Sequence, residues 1–106
     1  MEPTRDFKET VKARAARDPA FAKAMLAEAA TLFLNGEPHT ARLILRDLVN
    51  ASLGFEILAL ETNKPSKSLR MLSEKGNPSM DNLAAIFGAV RKRLGVDIQA
   101  HAVEAV

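Results

Sequence analysis

Residues 54–77 read GFEILALETNKPSKSLRMLSEKGN, and this stretch decides the fold that the sequence predicts. Two short apolar-patterned segments, residues 55–63 and 66–75, are separated by a tight link that contains Asn63 and Pro65. Pro65 disfavours the helical region at the residue before it, and Ser66 can cap a new helix. The side chains expected to pack across the link are Leu58, Ala59, Leu69 and Leu72. The pattern predicts two short helices joined by a turn, over residues 55–72.

The second segment carries polar and basic residues on the side opposite its leucines. Lys67, Ser68 and Arg70 are expected to point outward from a helix that starts at Ser66. The major groove of DNA admits one helix, and polar side chains near its N-terminus reach base edges. A helix N-terminus is also a natural phosphate site. The pattern therefore indicates a DNA-reading helix, although the same residues also fit an ordinary solvated face.

Helices are predicted on both sides of this pair. Residues 4–17 form the first, with Thr4 as its cap. Asp18-Pro19 opens a second helix that Asn35-Gly36 ends, and Pro38 opens a third that ends at Gly54. Ser79 caps the last helix. Its apolar residues recur at spacings of three and four: Met80, Leu83, Ile86, Phe87, Val90 and Leu94. Methionines at positions 25, 71 and 80 are expected to fill the core.

The segment after Gly95, residues 96–103, alternates apolar and polar residues, which is typical of a strand. A single strand is not stable alone, so we expect it to pair with its counterpart in a second copy of the chain. A frayed or helical tail is the alternative.

Charge and composition limit the function classes. The chain has 106 residues, 47% of them apolar, and no cysteine, so we expect one cytoplasmic domain without disulfides or thiolate metal sites. No stretch predicts a secretory signal or a membrane span. Residues 64–93 hold seven basic and two acidic residues, a net charge of +5, whereas the remainder carries −3. This asymmetry favours a polyanion-binding end, although a solvated basic face explains it equally well.

Enzyme chemistry finds little support in the sequence. The two histidines, His39 and His101, belong to no metal-binding pattern, and we expect both at the surface. The glycines are scattered and form no phosphate-cradling loop. We therefore expect no catalytic residue, no metal and no cofactor.

Residues 55–96 resemble the helix-turn-helix of lambda-repressor-like (Cro-type) regulators, and more narrowly the addiction-module antidote proteins, the antitoxins of bacterial toxin–antitoxin pairs. The segments that carry the resemblance are GFEILA, PSKSLRMLSEKGNPS and the following amphipathic helix that ends in LGV. It implies an all-α bundle, with residues 1–36 as an N-terminal helical extension, 37–95 as the DNA-binding domain and 96–106 as a C-terminal strand or tail that is a candidate for dimerisation. The usual turn glycine is missing, and Asn63 is expected to adopt the left-handed conformation in its place.

The resemblance implies a homodimeric repressor of its own operon that binds double-stranded DNA and neutralises a ribonuclease-type toxin. The DNA-binding residues expected from pattern and resemblance together are Lys64, Ser66, Lys67, Ser68, Arg70, Met71, Lys75 and Asn77. Two alternatives stay open: a stand-alone transcriptional regulator without a toxin partner, and a helical protein-interaction module that does not bind DNA.

Overall fold

A computed structural model describes residues 11–64, Leu72 and residues 76–106. Five helices are found in these ranges: α1 (11–17), α2 (Pro19–Leu34), α3 (Pro38–Ser52), α4 (Gly54–Thr62) and α5 (Met80–Leu94). The described ranges contain no strand, which confirms the all-α class. None of their helices is long and apolar enough to cross a membrane.

The helix boundaries follow the capping residues that the sequence offers. The Asp18 carboxylate accepts hydrogen bonds from the Ala20 and Phe21 N–H groups at 3.1 and 3.2 Å. The Ser79 hydroxyl accepts one from the Asn82 N–H at 3.1 Å. Each such bond satisfies a backbone donor that has no partner inside its helix. The predicted starts of α2 and α5 are therefore confirmed.

The junction of α1 and α2 is held by charge. Arg14 pairs with Asp18 at 3.3 Å, and its guanidinium lies 4.6 Å from the centre of the Phe21 ring. The hydrogen bond from the Phe21 N–H, more than any other contact, holds the pKa of Asp18 below its ordinary value, and Arg14 lowers it further. The junction is therefore stabilised by an ionised Asp18.

One apolar core joins α2 to α5. The completely enclosed larger side chains are Leu26, Leu45, Leu48, Val49, Leu58, Leu72, Ile86 and Val90. Phe33 of α2 and Phe87 of α5 meet edge to face, with ring centres 5.8 Å apart and ring planes at 79°. Helix α3 contributes Leu45, Leu48 and Val49 to this core, and all three are enclosed.

Helices α2 and α5 run antiparallel. A groove at one end brings Phe33 of α2 to Leu83 of α5, and a cleft at the other brings Ala22 of α2 to Arg93 of α5. The start of α3, at Pro38, is at the groove end, and its last residue, Ser52, is at the cleft end. We call these the groove end and the cleft end of the bundle. The apolar groove lies at one end of the bundle and the cleft at the other.

The sequence predicts that Met80 lies on the buried face of α5 and fills the core, and this prediction is wrong. Its side chain is 76% exposed, whereas Ile86 and Val90 are enclosed. Met80 is the first residue of α5, and helical burial begins only where the following turns meet the core. It lines the rim of the apolar groove and does not fill the core. Met71 and Thr4 lie outside the described residues.

The C-terminal segment, residues 96–106, has no regular secondary structure, so the strand predicted for residues 96–103 is not formed within one chain. Arg91 holds its start, with the guanidinium 2.7 Å from the Asp97 carboxylate and 3.4 Å from the Val96 carbonyl oxygen. Val96 and Ile98 are half-buried against the core of their own chain, whereas Asp97 and Gln99 are exposed. The alternation of apolar and polar residues therefore corresponds to side chains that pack on the helices of the same chain and side chains that face solvent.

Candidate nucleic-acid interface

Two of the eight residues expected to bind DNA, Lys64 and Asn77, are among the described residues. Lys64 is half-buried directly after α4, and Asn77 is exposed three residues before α5 begins. The other six lie outside the described residues: Ser66, Lys67, Ser68, Arg70, Met71 and Lys75. The described residues form the borders of this candidate interface: they are the helices and turns on each side of residues 65–75.

The chain leaves α4 through a left-handed turn at Asn63. Asn63 has φ 56° and ψ 38°, and no other non-glycine residue in the described ranges has a positive φ. The Lys64 N–H donates to the Ala59 carbonyl oxygen at 3.2 Å, and the Thr62 hydroxyl donates to the Leu58 carbonyl oxygen at 2.8 Å. The Ala59 carbonyl is one of the last four of α4, which have no partner inside the helix, and the Lys64 N–H helps to satisfy it. The expectation that Asn63 adopts the left-handed conformation is confirmed.

Leu72 brings the chain back to the core beyond this turn. Its side chain is completely enclosed and belongs to the same apolar cluster as Leu58, and Ala59 packs against that cluster. Leu58 before the Asn63 turn and Leu72 after it therefore belong to one core. Three of the four residues predicted to pack across the link share this core, and the fourth, Leu69, lies outside the described residues.

The basic triplet at the end of α5 does not act as one unit. Arg91 is bound to Asp97 and so holds the C-terminal segment. Lys92 and Arg93 are exposed, and they line different clefts: Lys92 one beside Glu61 of α4, and Arg93 one beside Arg17 of α1. The spacing of the three residues on a helix predicts that they diverge, but their partners depend on the packing of α1 and α4.

An apolar groove of about 450 Å³ at the groove end was not predicted from the sequence. Phe33, Leu83 and Phe87 line it, and Leu34 and Met80 on its border are 67% and 76% exposed. Asn77 and Pro78 also line it, so the groove adjoins Asn77, one of the residues expected to bind DNA. The run of three apolar residues at the end of α2, which one face of a helix cannot bury, was the available signal.

The described residues show no arrangement for metal chemistry. No group of three histidine, aspartate or glutamate side chains is close enough to hold an ion within residues 11–64, 72 and 76–106. His39 and His101 are both exposed, as expected.

Comparison of the chain with protein-family models, with curated proteins and with solved structures found no match.

Proposed function

We propose that this chain is a sequence-specific DNA-binding transcriptional regulator with a lambda-repressor-like helix-turn-helix over residues 55–72. The observation that carries the proposal is the Asn63 turn together with the enclosure of Leu58 and Leu72 in one core. A helix-turn-helix needs a sharp link and apolar residues on both sides of it, so that the second helix presents its outer side to the groove. The residues that would read DNA are Lys67, Ser68 and Arg70, on that outer side.

Charge supports the same proposal. The net charge of +5 over residues 64–93 supplies the electrostatic attraction that most DNA-binding proteins use. In the proposed complex, Lys64, Lys75 and Asn77 hold phosphates at the two borders of the reading helix, and the protein acts as a homodimer. Two copies would meet half-sites about 34 Å apart, which is one turn of the double helix.

The finer proposal is that the chain is an antitoxin, which represses its own operon in the cytoplasm and neutralises a ribonuclease-type toxin. The resemblance of residues 65–79 to antidote proteins motivates it, and the apolar groove with exposed Leu34 and Met80 offers a surface for a protein partner. Apolar patches bordered by polar residues commonly mark protein-binding sites. The same groove supports the competing proposal of a protein-interaction module without DNA. A toxin-like reading frame beside the gene distinguishes the antitoxin from a stand-alone regulator.

The experiment that tests DNA binding is a salt titration with a labelled mixed-sequence duplex. Each phosphate neutralised contributes about −0.9 to the slope of log K against log salt concentration. We expect affinity to fall steeply between about 50 and 200 mM salt because several lysines and arginines contact phosphate. Absence of binding at the lowest salt concentration would favour the interaction module.

A further inference from the structure

A second basic surface lies at the cleft end of the bundle. Arg17, the last helical residue of α1, and Arg93, near the end of α5, line the same cleft of about 320 Å³. Small side chains, among them Ala15 and Ala51, form its walls and leave both guanidinium groups accessible. None of the described residues that line this cleft is acidic. The sequence gives no sign of it, because the two arginines belong to opposite ends of the chain.

No residue that the structure describes neutralises the positive charge of the cleft. Arg17 and Arg93 are exposed, and neither makes a hydrogen bond or an ion pair with any residue that the structure describes. Two carboxylates next to these elements are already engaged, Asp18 by Arg14 and Asp97 by Arg91. Two like charges on one small cleft repel each other, and a bound anion would relieve that repulsion.

Helix dipoles favour each arginine at its own helix end, but they do not explain why the two line one cleft. A cation in the last turn of a helix interacts favourably with the negative end of the dipole, which explains each arginine separately. At the cleft end, however, the end of α1 is followed directly by the start of α2, and the end of α3 by the start of α4. The opposite dipole ends at these two junctions largely offset each other. Arg17 therefore gains little from helix dipoles, whereas Arg93 lies in the last turn of α5, whose dipole no following helix offsets.

We propose that Arg17 and Arg93 bind the phosphate backbone of the duplex that the helix-turn-helix reads. They would contact one border of the DNA major groove, and Asn77 would contact the opposite border. Ser52, which lines the cleft, is followed after one residue by α4, so the cleft adjoins the start of the helix-turn-helix. Asn77 lies at the other end of α5, and fifteen helical residues span about 20 Å. That span exceeds the width of a major groove, about 12 Å, so the two ends can straddle it. This inference rests on the proposed function.

The test measures binding of a labelled mixed-sequence duplex by fluorescence anisotropy over a range of salt concentrations. For the double variant Arg17→Ala/Arg93→Ala we expect the salt slope to become less steep by about 2, and affinity at 0.1 M salt to fall roughly tenfold per arginine. The variant Arg17→Lys/Arg93→Lys retains both charges and is expected to keep the slope. Lys23→Ala is the matched control, because Lys23 is an exposed cation on α2 that lines a different cleft.

The outcomes separate this inference from the proposed function. If the wild-type chain binds the duplex and the double alanine variant, with an unchanged melting temperature, binds with the same slope, the arginine cleft is not a phosphate site and DNA binding stands. A loss per removed charge as large in Lys23→Ala would show that only overall charge matters, which also overturns the inference. If the wild-type chain binds no duplex, the proposed function fails as well.

Discussion

Leu58 and Leu72, on opposite sides of the left-handed turn at Asn63, are both completely enclosed in one apolar core. This pairing fixes where the chain must return after leaving α4. It is also the relationship on which a helix-turn-helix depends, because the outer side of the second helix is defined by what its inner side buries.

Leu72→Ala should lower the free energy of unfolding by about 2–5 kcal/mol, the usual cost of removing a buried leucine side chain. Leu58→Ala should cost a similar amount, since both side chains are enclosed. Chemical denaturation measures the change. Leu60→Ala is the control, because Leu60 is 78% exposed and its replacement should change stability by less than about 0.5 kcal/mol. A Leu72 variant as stable as wild type would contradict the described packing.

The turn at Asn63 predicts an unusual order of substitutions. Asn63→Gly should leave stability unchanged or raise it, because glycine adopts positive φ without strain. Asn63→Ala should cost about 1–2 kcal/mol, the penalty of the left-handed conformation for a residue with a Cβ atom. Thermal or chemical denaturation compares the two variants. Equal stability of the glycine and alanine variants would mean that residue 63 does not have φ 56° in solution.

Asp18 makes stability depend on pH. Its pKa in the folded chain is below its unfolded value, mainly because the Phe21 N–H donates to the carboxylate. Its contribution is therefore complete above the unfolded pKa and is lost as pH falls through the folded pKa. We expect Asp18→Asn, which can still accept the capping bonds, to lose this acid dependence and remain more stable than Asp18→Ala at neutral pH. Melting temperatures at neutral and acidic pH test both statements.

The C-terminal segment provides a test of dimerisation. Deleting residues 96–106 should lower the dimer fraction at micromolar concentration in light scattering, if the alternating segment pairs between copies. The deletion also removes Val96 and Ile98 from the core of the same chain. Ala102→Asp is the cleaner variant, because Ala102 is exposed and contributes nothing to that core. A fully dimeric Ala102→Asp protein would place the principal interface elsewhere.

The helices could be predicted from the sequence because their boundaries depend on local chemistry. Asp18, Ser79 and the prolines at positions 19 and 38 act on the backbone of their own turn, so they indicate where each helix begins. Asn63 was predictable for the same reason, since its short polar side chain tolerates positive φ.

Features that depend on tertiary packing were not predictable. Met80 fits the apolar spacing of α5, yet no neighbouring element covers it. The alternation of Val96 and Ile98 favoured a strand, but the side of α2 was free to receive both side chains. Arg17 and Arg93 line one cleft only because α1 and the end of α5 lie at the same end of the bundle. The spacing of residues within one segment contains no information about which distant segments pack beside it.

The central claim is that the helix starting at Ser66 reads bases, and titration of Arg70→Ala and Lys75→Ala against specific and scrambled duplexes tests it most directly. The specific duplex is taken from the region upstream of the chain's own gene. Arg70→Ala should lose about 1–3 kcal/mol of discrimination, because the arginine fork suits the O6/N7 edge of guanine. Lys75→Ala should weaken both duplexes about equally, as loss of a phosphate contact does. If Arg70→Ala and Lys67→Ala both remain folded and bind the specific duplex like wild type, this helix does not read DNA and the central claim is wrong.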